Sequence, residues 1–348
     1  MKPQVELPVY ELKTVLAGMA KVVPKGGLSA RRCLRVSRDE RGIVRVQGTD
    51  LESIATYCLA QQQLGPVCAT LVPFEALTTS VQGSQGRVDV MIETKERIMI
   101  CSRVSQTRIE DVLEVPPLED WPPTPATCED RSDIPWEFKK ALHEALSCTT
   151  EDTGRPVLSG AFIDVSDATA HYLVGTDGRH LYAANSFRLN LGSSIIIPPH
   201  KFLAWNGFID DGLGSMAVQP AKQNDLGWIE IASPRWSFIT RPVEGPYPDW
   251  KKILPDPNRE KTVVALRPDG VERMLELLPR CQVITRKALP FISVSTMVNC
   301  YCGHGIGLQT HGWKYQSAVR PLPEVTSECI STAVTCSEVS EWAYRNFI

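Results

Sequence analysis

The residues best equipped for chemistry stand in two short turns. Gly48-Thr49-Asp50-Leu51-Glu52 and Gly175-Thr176-Asp177-Gly178-Arg179-His180 each place a hydroxyl beside a carboxylate, and the second adds an arginine and an imidazole. Two carboxylates are the material of general acid–base catalysis. The same residues also build a tight turn between strands, with Asp177 capping it and Gly178 taking the positive φ. Asp50 and Asp177 lie 127 residues apart in matching surroundings, and an identical role in two copies favours turn capping. A third cluster, Cys300-Tyr301-Cys302-Gly303-His304, looks like half a metal site. Structural zinc wants four ligands, usually as two paired clusters, and no second cluster partners this one, so no metal is expected. No phosphate-cradling glycine loop, Gly-x-Ser-x-Gly elbow or His-Glu-x-x-His occurs. The chain reads as non-enzymatic and without a cofactor.

The elements that must position these turns also come in copies. Pro117-Leu118-Glu119-Asp120-Trp121 and Pro246-Tyr247-Pro248-Asp249-Trp250 are a second pair of landmarks, 129 residues apart at their tryptophans. Two landmarks at nearly one offset indicate an internal repeat of domain size. Leu12, Val15, Leu16, Met19 and Val23 follow helical spacing, stopped by Pro24-Lys25-Gly26-Gly27. Short alternating strands follow, then a second helix from Pro73-Phe74 to Gly83 and strands running toward Val115. Past a proline-rich stretch at 116–127 the order restarts. Asp133-Ile134-Pro135 opens a helix with Phe138, Ala141, Leu142 and Ala145 on its apolar face. Ile195-Ile196-Ile197-Pro198-Pro199 leads to a further helix holding Phe202, Leu203 and Ile209. After Leu254-Pro255-Asp256-Pro257 a third start has a strand at 263–266 and a helix with Val271, Met274, Leu275 and Leu278. Strands near 291–299, 305–309 and 328–334 and a helix from Ser337 to Phe347 complete the expectation.

The fold class is therefore α+β. Three tandem modules are expected, each with two helices on antiparallel sheet, at 1–127, 128–256 and 257–348, the third shortened and lacking its closing strands. Tandem curvature suggests closure into a ring by symmetric association. With 43% hydrophobic and 22% charged residues the composition is that of a globular protein. No apolar run approaches a membrane span and no signal-peptide core opens the chain. Eleven scattered cysteines, an odd number, argue for free thiols in a reducing cytoplasm. A net charge of −3 gives no global basic field, so any nucleic-acid surface must gather its cations on one face.

Four stretches in order resemble the bacterial DNA sliding clamp, the β subunit of DNA polymerase III. They are Arg155-Pro156-Val157-Leu158-Ser159-Gly160, Gly175-Thr176-Asp177-Gly178-Arg179-His180-Leu181, Ile197-Pro198-Pro199-His200-Lys201 and Tyr247-Pro248-Asp249-Trp250-Lys251-Lys252-Ile253-Leu254-Pro255, with Gly48-Thr49-Asp50-Leu51-Glu52 matching in the first module. The resemblance implies a head-to-tail homodimeric ring around double-stranded DNA, helices lining the hole, with no catalysis. It implies DNA contacts at Lys25 and Lys201. Lys139, Lys140 and Arg273 join them, with Lys13 and Lys21, on helices expected to face the hole. It also implies a pocket on the second module for peptides of the replicative polymerase and clamp loader, lined by Leu158, Thr176, Gly178, Arg179, His180, Leu181, Pro248, Lys252 and Ile253.

Four departures from the family pattern stand out, the first being that Pro156 and Val157 follow Arg155 where the family can place polar or aromatic groups near DNA. Glu75 sits where a base would serve DNA, the order Arg179-His180 is reversed, and the strand that closes the pocket in the family is missing after Ile348. A rival reading follows: a clamp-like adaptor, from a mobile element or a second gene copy, that binds clamp partners without encircling DNA.

Overall fold

A computed structural model of the 348-residue chain describes residues 4–26, 29–125, 130–152, 154–219 and 227–254, with 264–266, 270, 272–273 and 329–331. In chain order the elements are β1 (Gln4–Pro8), α1 (Val9–Met19), β2 (Cys33–Arg38), β3 (Val44–Thr49), β4 (Ser53–Cys58), β5 (Cys68–Pro73), α2 (Phe74–Val81), β6 (Arg87–Thr94), β7 (Arg97–Val104), β8 (Thr107–Glu114) and β9 (Ser132–Ile134). Then come α3 (Trp136–Ser147), β10 (Ala161–Asp164), β11 (His171–Thr176), β12 (Leu181–Phe187), β13 (Ile195–Ile197), α4 (Asn206–Ile209), β14 (Gly214–Gln219), β15 (Trp228–Ala232) and β16 (Trp236–Thr240). A separate pair, β17 (Val264–Leu266) and β18 (Cys329–Ser331), is antiparallel. The α+β class with antiparallel sheets is as the sequence predicts.

By compactness the chain divides into residues 1–136 with 200–242, and residues 137–199 with 243–348. The first unit holds two sheets, one ordered β1-β6-β7-β8 and one of eight strands ordered β5-β2-β3-β4-β16-β15-β14-β9. Helix α1 packs on β1 and β3, and α2 on β5 and β7, so each helix touches both sheets. The i, i+3, i+4 apolar spacing explains it: Leu12, Val15, Leu16 and Met19 are all buried, each such side chain contributing roughly 1.5–3 kcal/mol. In β1, Val5 and Leu7 alternate inward with no exposed surface.

The second unit has a four-stranded sheet, β12-β11-β10-β13, and α3. Phe138, Ala141, Leu142 and Ala145 form the buried stripe of α3, and Phe138 meets Phe187 edge to face at 5.2 Å. The glycine of each Gly-Thr-Asp turn has a packing reason. A Cβ at Gly175 would lie 1.9 Å from the Ala145 carbonyl oxygen, and one at Gly48 would lie 2.8 Å from Met19 Sδ. Each glycine admits the end of its repeat's first helix.

Two boundaries differ from the sequence expectation. Ile134 does not open α3; it pairs with Gly214 in β9–β14, because a free sheet edge claims the residues before Pro135. The helix expected around Phe202, Leu203 and Ile209 is reduced to the four residues of α4. The Trp205 ring lies over Gly207, where a Cβ would come within 2.2 Å of it, and Phe202 is buried before the helix begins. The expected helix from Met274 to Leu278, the strands near 291–299 and 305–309 and the helix from Ser337 to Phe347 lie outside the described residues, as does the cluster Cys300–His304.

Gly175→Ala forces a backbone clash and is expected to cost at least about 2 kcal/mol in urea unfolding. Gly48→Ala meets side chains, the flexible end of Met19 first and then Val23 Cγ2 at 3.2 Å, and should cost less than half of that.

Candidate functional site

In the second unit the Thr-Asp-Gly turn closes β11 onto β12, with Thr176 paired to Leu181. Thr176 Oγ1 donates to the His180 carbonyl and accepts from Gly178 N–H at 3.0 Å. Asp177 Oδ1 accepts from the N–H groups of Arg179 and His180 at 2.7 and 2.6 Å. Its other oxygen meets His180 Nδ1 at 3.0 Å. Burial opposes ionisation of Asp177, but the hydrogen bonds from the His180 ring and the two N–H groups outweigh it and hold the carboxyl below its ordinary value. Gly178 sits at φ 85, a left-handed conformation that suits glycine.

Around this turn lies an apolar group. Val174, Ala183 and Trp250 are buried together, with Phe162, Tyr172, Leu181, Tyr247 and Leu254 packed on them. Tyr247 stacks on Phe162 at 4.4 Å. Its hydroxyl is buried beside the Thr176 backbone without a well-formed hydrogen bond among the described residues, and burial pushes its pKa up. Trp250 Nε1 donates to Asp164 Oδ2 at 3.0 Å, and Lys251 Nζ meets the same oxygen at 3.2 Å.

The pocket residues inferred from sequence divide into floor and rim. Leu158, ending the 3-10 turn Pro156–Leu158, and Thr176 have no exposed surface, and Ile253 is buried. Gly178 is buried, and His180, Leu181 and Pro248 are half-buried, while Arg179 and Lys252 are exposed. Lys252 pairs with Asp249 at 3.2 Å. Thr176, Gly178, Arg179, His180 and Leu181 belong to one turn; Pro248, Lys252 and Ile253 flank Tyr247 and Trp250 in sequence.

The inferred DNA contacts separate more sharply. The solvent face of α1 carries Tyr10, Lys13, Thr14, Ala17 and, just past its end, Ala20, Lys21 and then Lys25. Lys201 is exposed in the same unit. None of these four lysines forms an ion pair among the described residues. Glu75, the acid on α2, is paired with Arg32 at 2.6 Å. Lys139, in contrast, is 1% exposed. It flanks the apolar stripe of α3 and is drawn inside with it, which removes it from the set of solvent-facing cations. Lys140 is half-buried, and Arg273 is exposed in helical backbone. Trp205 and Asn206, which the sequence did not single out, line a cleft with Lys21 and Lys201. Among the described residues no group of three His, Cys, Asp or Glu side chains is placed to hold a metal.

No protein-family profile matches the chain, and no curated protein matches it in sequence. Solved structures do match in fold. The DNA polymerase III β subunit of Pseudomonas aeruginosa aligns over 82% of this chain and 75% of its own at 18% identity, with a TM-score of 0.66. The sliding clamp of Bacillus subtilis aligns over 83% and 76% at 14% identity, TM-score 0.65. The Helicobacter pylori β clamp bound to a DNA ligase peptide aligns over 80% and 77% at 13% identity, TM-score 0.65. The chain has the fold of the bacterial sliding clamp.

Because the Asp177 carboxyl is lowered in the folded state, its contribution is present above about pH 4, the unfolded carboxylate range, and is lost as pH falls through the folded value. Asp177→Asn keeps an acceptor for the turn. It is expected to lose less stability than the wild type between pH 5 and pH 2, measured by denaturant midpoints.

Proposed function

We propose that this protein is a sliding clamp: a non-catalytic, cytoplasmic homodimer that encircles duplex DNA and tethers a replicative polymerase through linear peptides. The observation that carries the reading is the fold, shared over about four-fifths of the chain with solved clamps. A topological tether makes each re-encounter of polymerase and template intramolecular, which supports processivity without tight binding. Such a tether needs phosphate contacts that carry no base information. Lys13, Lys21, Lys25 and Lys201, exposed and without an ion pair among the described residues, are of that kind. In this reading Lys140 and Arg273 complete the DNA face, and the modules run 1–127, 128–256 and 257–348.

Self-association has a candidate edge. Among the described residues strand β8 pairs only with β7, and nearly all its residues are exposed, Ile109 and Val112 among them. An unpaired edge with apolar side chains is a template for another chain, and we assign it to ring closure. The peptide pocket is assigned to the Thr176–Leu181 turn and the Tyr247–Ile253 segment. The clamp of Helicobacter pylori holds a ligase peptide and that of Pseudomonas aeruginosa holds griselimycin, which supports a peptide-sized ligand here. Buried Leu158 and Ile253 and an indole as floor with Arg179 and Lys252 as rim suit a short apolar peptide bearing a carboxylate or amide.

A second reading is favoured by one observation, the burial of Lys139 and partial burial of Lys140 on α3: an adaptor that binds the same peptides without encircling DNA. Retention on closed circular duplex, lost on linearisation, together with a dimer mass by light scattering, is expected for the ring; a monomer that washes off both DNA forms but still binds peptide would establish the adaptor.

In the retention assay Lys25→Glu should shorten residence and lessen the slope of log K against log salt by about 0.9, the value of one phosphate contact. Lys252→Glu should weaken a fluorescent polymerase-tail peptide about 5-fold by polarisation, leaving thermal stability unchanged.

A further inference from the structure

The first unit holds a cleft that shares two of the lysines assigned to the tether, Lys21 and Lys201. It has a volume of about 480 Å3 and is lined by Lys21, Lys201, Ala204, Trp205 and Asn206, within the roughly 300–1,000 Å3 of small-ligand sites. Its two ammonium groups are exposed, and among the described residues neither forms an ion pair and no carboxylate lines the cleft. Asp211, further along the same connection, is occupied by Ser233 Oγ and the Arg235 N–H.

The aromatic wall is fixed in place. Trp205 stands edge-on to Trp236 at 5.4 Å and 89°. Its ring lies against Gly207 on one side and Gly18 of α1 on another, where added Cβ atoms would come within 2.2 and 2.6 Å. A ring so held offers a stacking surface with little entropy left to lose. The carboxamide of Asn206, exposed at the rim, provides both a donor and an acceptor.

Two cations, a rigid indole and a carboxamide around a nucleotide-sized space match a base carrying phosphate. We propose that this cleft takes one unpaired nucleotide, its base stacked on Trp205 and its phosphates on Lys21 and Lys201. Paired bases within a duplex are stacked on each other and cannot present a free face to the indole, so the ligand is a nucleotide of a single strand or a free nucleotide. The proposal rests on the reading of the α1 face as a nucleic-acid surface and adds to it a site for unpaired bases.

The test is photocrosslinking of the full chain to a 20-nucleotide single-stranded DNA carrying 5-iodouracil, with adducts mapped by mass spectrometry. An adduct on Trp205 is expected. In polarisation titrations Lys21→Gln with Lys201→Gln, both exposed positions, should weaken single-strand binding at least 5-fold. The salt slope should fall by about 1.4, from roughly 0.7 for each of two single-strand phosphate contacts. Trp205→Phe should keep binding and Trp205→Leu lose it; should the leucine variant fail to fold, the lysine pair still decides. Suppression of the adduct by millimolar dTMP identifies a free nucleotide as ligand, and suppression only by unlabelled strand identifies the strand; either supports the site. Adducts confined to other peptides, or an unchanged affinity and salt slope in the lysine pair, would overturn it. Retention on circular duplex is read separately on the wild type: an adduct without retention refutes the tether and leaves the cleft, and retention without an adduct does the reverse.

Discussion

The pairing of β4 with β16 is the constraint on which the rest of the first unit depends. It joins Ser53–Cys58 of the first repeat to Trp236–Thr240 of the second and makes one eight-stranded sheet out of two strand sets. Side-chain contacts pin the register along its length. Ser53 Oγ donates to Thr240 Oγ1 at 3.1 Å across 187 residues of chain, and Tyr57 meets Trp236 edge-on at 4.8 Å. A slip of one residue would turn Trp236 and Phe238 out of the core. Behind the seam Phe202 contacts Trp205, Phe208, Trp236 and Phe238, so one aromatic cluster holds both the seam and the Trp205 wall of the cleft. Loop-closure entropy grows only slowly with separation, so a dense aromatic cluster suffices to hold so distant a pairing.

The repeated turn shows one local design put to two ends. Thr49 and Asp50 make the same set of backbone hydrogen bonds as Thr176 and Asp177. Leu51, at φ 84, stands where the second copy has Gly178 at φ 85, a conformation that costs a non-glycine residue about 1–2 kcal/mol. Asp177 takes its imidazole from within the turn, at His180. Asp50 takes one from 150 residues away, His200, at 3.2 Å. The Phe202 N–H points at His200 Nδ1, so Nε2 carries the proton toward Asp50. The first copy therefore serves as an anchor for the chain that returns to its sheet. The second keeps its partners local and leaves Arg179 exposed at the rim of the proposed pocket.

The tryptophan landmarks diverge in the same way. Both Trp121 and Trp250 are buried, but Trp250 has Asp164 as hydrogen-bond partner while the Trp121 indole nitrogen has none among the described residues. A repeated motif reports a repeated place in the fold; the polar groups that complete that place are set by each copy's own neighbours.

Much of this was legible in the chain alone. The spacing of Leu12, Val15, Leu16 and Met19 defined the buried face of α1, and by complement put Lys13 and Lys21 outward. The recurrence of Gly-Thr-Asp and Pro-x-x-Asp-Trp identified the repeat, because turn geometry and helix periodicity are short-range properties written in neighbouring residues. The burial of Lys139 was not legible, since a residue beside an apolar stripe is covered or left in water according to what packs there. Nor was the claim of β14 on Ile134, the collapse of the expected helix to α4 under Trp205, or the cleft that Trp205 shares with Lys21. The pairing and the cleft bring together residues far apart in sequence, and α4 is cut short where Phe202 and Trp205 pack on Trp236 of β16; only the tertiary fold decides which of them meet.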